Sequence, residues 1–60
     1  MKLRELREQK GLTQAEVGER IGVKGNTISQ WEAGTRRPSP EKAKKIAEEL
    51  GFDWTLFYEE

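Results

Sequence analysis

Only three residues, Gly22-Val23-Lys24, separate two short segments with helical signatures, and this gap constrains the fold more than any other feature of the chain. So short a connection suits two helices meeting at a steep angle, with Val23 tucked beneath the turn. The upstream segment has a complete start signal. Thr13 stands as N-cap, Glu16 completes a capping box, and Leu12 and Val17 occupy the hydrophobic-staple positions around it. Val17 and Ile21 then face inward, and Gly22 ends the helix. Gly18 lies inside it, where glycine costs about 1 kcal/mol relative to alanine. The expectation is that another helix crosses there at close range. The downstream segment spans about Gly25 to Ala33 and stops at Gly34.

No segment alternates as a strand would, and four of the six glycines sit where a helical period stops. Helix 1 is expected from about Lys2 to Lys10, with Leu3 and Leu6 inward and Gly11 in the left-handed stop conformation. Helix 4 starts at Ser39 as cap, with Pro40 at its first position and Glu41 beside the positive dipole end. Ala43, Ile46, Ala47 and Leu50 form its apolar stripe, and Gly51 closes it. A short fifth helix is expected from Asp53, with Phe52 and Phe57 at staple positions. The fold class is therefore all-α, compact and five-helical. Residues 1–60 form a single domain, of a size that buries only about 60% of its unfolded surface.

The composition excludes several functions. Cysteine and histidine are both absent, which removes a disulfide framework, the usual zinc ligands and the commonest general base. There is no carboxylate pair in an evident pocket, no glycine-rich phosphate loop and little volume for a cleft, so no enzyme activity, metal, cofactor or small-molecule ligand is expected. No stretch approaches the roughly 20 apolar residues of a membrane span, and no signal-peptide core precedes helix 1. The expected location is cytoplasmic. The net charge of zero conceals an asymmetry. All 11 basic residues lie at or before Lys45 with 6 of the 11 acids, whereas residues 46–60 hold five acids and no base. Such a split points to a polyanion-binding face with an acidic tail; two solvated helix faces of opposite sign are the plain alternative.

Helix 3 carries the most specific signal. At about 100° per residue, Ile28 and Trp31 fall together on the side that faces the core. Asn26, Ser29 and Gln30 lie opposite, with Gly25 and Thr27 on the flanks. The exposed side is small and amide-bearing, with no charge at its centre. Asn and Gln each donate and accept in one plane, as bidentate reading of an adenine edge requires. Arg36 and Arg37 follow the helix directly, placed to grip flanking phosphates. Gln14 opens helix 2, where backbone N–H groups favour a phosphate.

The runs Gly11-Leu12-Thr13-Gln14-Ala15-Glu16-Val17, Ile21-Gly22-Val23 and Thr27-Ile28-Ser29-Gln30-Trp31-Glu32 resemble the Cro/C1-type helix-turn-helix, or Xre, family. The likeness continues through Gly34, Pro38-Ser39, Ile46-Ala47 and Leu50-Gly51. The resemblance implies a lambda-repressor-like fold whose helices 2 and 3 form the motif, about residues 14–33, with helix 3 in the major groove. It implies base reading by Asn26, Gln30 and Gly25, and phosphate contacts from Gln14, Lys24 and Thr27; Ser29 joins the expected base readers by its place on the exposed face, and Arg36 and Arg37 the expected phosphate contacts by theirs just beyond helix 3. It also implies a salt bridge between Arg7 and Glu32 that ties helix 1 to helix 3. Two positions depart from the family pattern. Lys24 stands where a Ser or Thr cap is usual, and Gly25 stands where a long polar side chain is usual.

The function so implied is sequence-specific binding of a double-stranded DNA operator by a transcriptional regulator, most simply a repressor. The alternative is an antitoxin-like or accessory module that uses the same fold to bind protein. Four of the five aromatics, Phe52, Trp54, Phe57 and Tyr58, cluster near the C-terminus. Phe52, Leu56 and Phe57 form the expected inward set. A weak homodimer is expected through Trp54 and Tyr58, with Phe57 beside them at the interface.

Overall fold

The computed structural model describes residues 3–58, with the side chains of Leu56 and Tyr58 outside the description. Among these residues there are four α-helices, α1 (Leu3–Gln9), α2 (Gln14–Ile21), α3 (Gly25–Ala33) and α4 (Pro40–Leu50), followed by a 3-10 segment, Trp54–Tyr58. The start of helix 1 expected at Lys2 lies outside the described residues. No helix among those described is long and apolar enough to cross a membrane.

Local chemistry sets the helix ends. The Thr13 hydroxyl accepts from the Glu16 backbone N–H at 3.0 Å, and the Glu16 carboxylate accepts from the Thr13 N–H at 2.9 Å. This closed box satisfies two of the donors that every helix start leaves orphaned. At α4 the Ser39 hydroxyl accepts from the Lys42 N–H at 3.3 Å, with Pro40 as first helical residue. The chain between Ser39 and α3 is anchored by the buried Pro38.

The C-terminal element corrects the expectation of a fifth α-helix. It is a five-residue 3-10 segment. Asp53 Oδ1 accepts from the Thr55 N–H at 3.0 Å and from its hydroxyl at 2.8 Å, closing a tight turn at the start. With so few residues, i→i+3 bonds close sooner than an α-helical ladder would.

The core lies where all the elements meet. Leu3, Val17, Ile28 and Ile46, one from each α-helix, are its largest fully buried side chains. Leu6, Leu12, Val23, Phe52 and Trp54 pack partly buried against it. Trp31 and Phe57 stack edge to face with ring centres 6.4 Å apart, and Phe57 lies 5.7 Å from Phe52. Phe57 is thus a core residue of the single chain, 6% exposed, and is withdrawn from the dimer contact expected of it. The 3-10 turn directs it inward between two other rings.

The α2–α3 corner depends on two close backbone approaches. Gly22 adopts the left-handed conformation at φ 81°, and Val23 donates back to the Gly18 carbonyl at 2.8 Å. A Cβ on Gly18 would stand 2.5 Å from the Val23 carbonyl oxygen. The backbone pressing on Gly18 is the turn together with the first residue of α3, whose Gly25 N would stand 3.2 Å from that Cβ, because the left-handed Gly22 folds the chain straight back over α2. A Cβ on Gly25 would stand 3.1 Å from both Cα and N of Ala15, so the head of α3 lies directly on the first turn of α2.

Candidate nucleic-acid interface

Two core contacts orient α3. Ile28 and Trp31 turn inward, which leaves Asn26 and Gln30 exposed on the opposite side and Thr27 and Ser29 half-buried at its edges. The outward face therefore presents two planar amides and two small hydroxyls. Its one acid, Glu32, is withdrawn into an ion pair.

Gly25 does not belong to this face. The direction in which a side chain would project is occupied by the backbone of Gln14 and Ala15, so the residue provides close approach and no reading group. This corrects its assignment to base reading. Lys24 is the N-cap of α3 by backbone geometry and makes no side-chain capping bond, which leaves its exposed ammonium at the head of the helix.

The two arginines are held at the opposite end. Gly34 closes α3, and the backbone N–H groups of Thr35 and Arg36 both donate to the Gln30 carbonyl, at 3.1 and 3.4 Å. With Pro38 buried beyond them, the exposed Arg36 and Arg37 are tied to the last turn of the helix whose outer face they flank.

The base of the site is a three-helix junction. Arg7 Nε donates to Glu32 Oε2 at 2.7 Å and Arg7 Nη2 to Oε1 at 3.4 Å, while Nη1 donates to the Leu12 carbonyl at 2.7 Å. The two side chains are 11% and 7% exposed. The bonds to Glu32 hold the Arg7 guanidinium above its ordinary value, against the opposing effect of burial. Gln14 is the third member, its Nε2 donating to Glu32 Oε1 at 3.0 Å. Sequence reasoning treated Gln14 separately from the Arg7–Glu32 pair. It also missed the tie to Leu12, the exposed Arg20–Glu49 bridge at 3.3 Å between α2 and α4, and the Lys44 ammonium 5.1 Å from the Trp54 ring centre. Trp54 is half-buried under that contact, less open to water than its place in a short terminal helix suggests.

A helix-turn-helix family profile matches residues 3–57, which takes in all four α-helices and most of the 3-10 segment. The chain belongs to the Cro/C1-type helix-turn-helix family. Curated relatives agree. The chain is similar to the uncharacterized HTH-type transcriptional regulator YqaF of Bacillus subtilis (strain 168), with 45% identity over 58 residues covering 97% of this chain and 76% of that protein. An uncharacterized HTH-type transcriptional regulator of Methanothermobacter thermautotrophicus is 47% identical over 49 residues, 82% of this chain and 71% of that one. The cryptic phage CTXphi transcriptional repressor RstR of Vibrio cholerae is 42% identical over 50 residues, 83% of this chain but only 45% of RstR. In this helix-turn-helix, α2 is the supporting helix and α3 the one with the uncharged outward face.

Proposed function

We propose that this chain binds a double-stranded DNA operator as a transcriptional regulator, acting as a repressor, with α3 in the major groove. One observation carries the reading: the amides of Asn26 and Gln30 share an exposed, uncharged helix face flanked by the cations of Lys24 at its head and Arg36-Arg37 at its tail. Asn26 and Gln30 read base edges, with Ser29 a shorter reader beside them. Lys24, Thr27, Arg36 and Arg37 contact the phosphates on either side, and Gln14 reaches the backbone from the head of α2. The similarity to a phage repressor supports repression as the outcome of that binding. Residues 1–60 act as one lambda-repressor-like domain, the 3-10 segment standing in for the fifth helix. The protein works in the cytoplasm as a binding protein, with no catalytic role.

Selection from random duplex DNA tests the reading. The parent should enrich a defined motif. Asn26→Ala and Gln30→Ala should each relax it at their own positions, since a good bidentate contact supplies about 1–3 kcal/mol of discrimination. Arg36→Ala and Arg37→Ala should weaken all sequences alike and lower the slope of log affinity against log salt by about 1 each. Unchanged base preferences in both amide variants would overturn the assignment.

Two copies pair weakly through the segment carrying Trp54 and Tyr58, reading half-sites about one helical turn apart. Sedimentation of the parent and of Trp54→Ala, with and without the selected duplex, tests this. One protein per duplex at saturation, unaffected by the substitution, would remove the dimer.

A further inference from the structure

Glu32 lies beneath the proposed interface, not on it, and its carboxylate is shared. One oxygen, Oε2, accepts from Arg7 Nε at 2.7 Å, and the other, Oε1, accepts from Gln14 Nε2 at 3.0 Å and from Arg7 Nη2 at 3.4 Å. Among the described residues no fully buried side-chain nitrogen or oxygen lacks a partner, and both Glu32 oxygens accept hydrogen bonds. Two physical consequences follow. A primary amide is planar, and fixing one of its two N–H groups fixes the direction of the other. A bare carboxylate near a phosphate would repel it, but Arg7 neutralises this one in a nearly dry setting.

We propose that Glu32 is a positioning residue for DNA binding: its Arg7-neutralised carboxylate holds the Gln14 amide so that the second N–H faces the phosphate backbone. The inference rests on the phosphate contact assigned to Gln14 above. It gives the ion pair a role beyond stability and places the controlling residue on α3, whose outer face reads the bases. Pre-set orientation lowers the ordering cost of the contact when DNA arrives. Removing the acceptor should then weaken the Gln14 contact without touching Arg36 or Gln30.

The test uses two charge-free backgrounds, Arg7→Met/Glu32→Gln and Arg7→Met/Glu32→Leu, and the duplex recovered by selection with the parent protein. The backgrounds have the same formal charge, and only the first keeps an acceptor oxygen for Gln14. In the parent, Gln14→Ala should weaken binding about tenfold, as expected for a hydrogen bond to a charged group. The loss should persist in the Glu32→Gln background and fall to twofold or less in the Glu32→Leu background, while the effect of Arg36→Ala stays the same in all three. Equal Gln14→Ala losses in the two backgrounds would overturn the positioning role and leave the phosphate contact standing. No loss in the parent would overturn the contact and the positioning role together. A second measurement needs no substitution at the ion pair. In the free protein, one Gln14 side-chain amide proton should exchange with solvent more slowly than the other, and the faster one should shift on adding the duplex. Two equally fast protons in the free protein would refute the proposal.

Discussion

Gly18→Ala exchanges a poor helix former for the best one, yet it should destabilise this protein. By propensity alone the change inside α2 should add about 1 kcal/mol. The methyl group, however, would lie 2.5 Å from the Val23 carbonyl oxygen and 3.0 Å from the Lys24 carbonyl carbon. An ordinary carbon–oxygen contact is about 3.3–3.6 Å, so the turn must retreat by close to an ångström. The obstacle is backbone and cannot rotate away. The same carbonyl belongs to the three-residue connection whose amide bonds to Gly18, so retreat strains the Val23 N–H bond as well. Overpacking costs about 1–3 kcal/mol; with a rigid obstacle the upper end applies, leaving a net loss of about 2 kcal/mol. For a domain this small, each kcal/mol moves the melting temperature by up to about 8 °C, so a fall of roughly 15 °C is expected. Thermal and urea unfolding followed by far-UV circular dichroism and by the fluorescence of buried Trp31 measures it. A Gly18→Ala variant as stable as the parent would refute the close-approach argument and show that the glycine is incidental.

Arg7→Met and Glu32→Leu should each cost about 3 kcal/mol alone, because either strands a nearly buried charge, whereas the double variant should recover much of the loss. Additive losses in a urea-unfolding cycle would show that the pair is not energetically coupled. In acid, the bond from the Thr13 N–H keeps the Glu16 carboxyl below the usual carboxylate range, and the bonds from Thr55 do the same for Asp53. A folded-state value depressed in this way contributes stability that is full above the unfolded carboxylate pKa and is lost as pH falls through the lowered one. Glu16→Gln keeps a capping acceptor without the titration, so unfolding curves between neutral and strongly acidic pH should converge for parent and variant as pH falls. Parallel curves would refute the capping contribution of the charge.

What could be read from the sequence was local. The Thr13–Glu16 box and the Ser39 cap before Pro40 each act within three residues, so their chemistry does not depend on where the rest of the chain lies. The inward pair Ile28 and Trp31 was legible for the same reason, since a helical period alone places both on one side. The features that escaped depend on the angle between helices. Nothing in the spacing of Gln14 and Glu32, 18 residues apart, announces a hydrogen bond between them. Phe57 was ambiguous because an apolar side chain on a short terminal segment can turn either way, and only the position of Trp31 and Phe52 draws it inward. The 3-10 geometry of its segment was hidden because five residues carry too little periodicity to separate one helix type from another.

The two departures from the family pattern are resolved by one contact. Lys24 makes no side-chain cap, and Gly25 is a poor residue with which to start a helix, so by local propensity the head of α3 should fray. That end instead rests on the first turn of α2, with Gly25 in place of any bulkier residue so that the backbones of Gly25 and Ala15 can close to contact. Tertiary packing thus replaces the missing cap, and it does so at the cost of a side chain on the first turn of the helix proposed to face DNA. The exposed amides of α3 therefore start beyond Gly25, at Asn26 and Gln30, one turn apart. The head of α3 thus lies against the backbone of Gln14 and Ala15, while Glu32, near the other end of α3, accepts from the Gln14 amide. α3 is therefore seated on α2 at both ends, by backbone contact at Gly25 and by the Glu32–Gln14 hydrogen bond in its last turn.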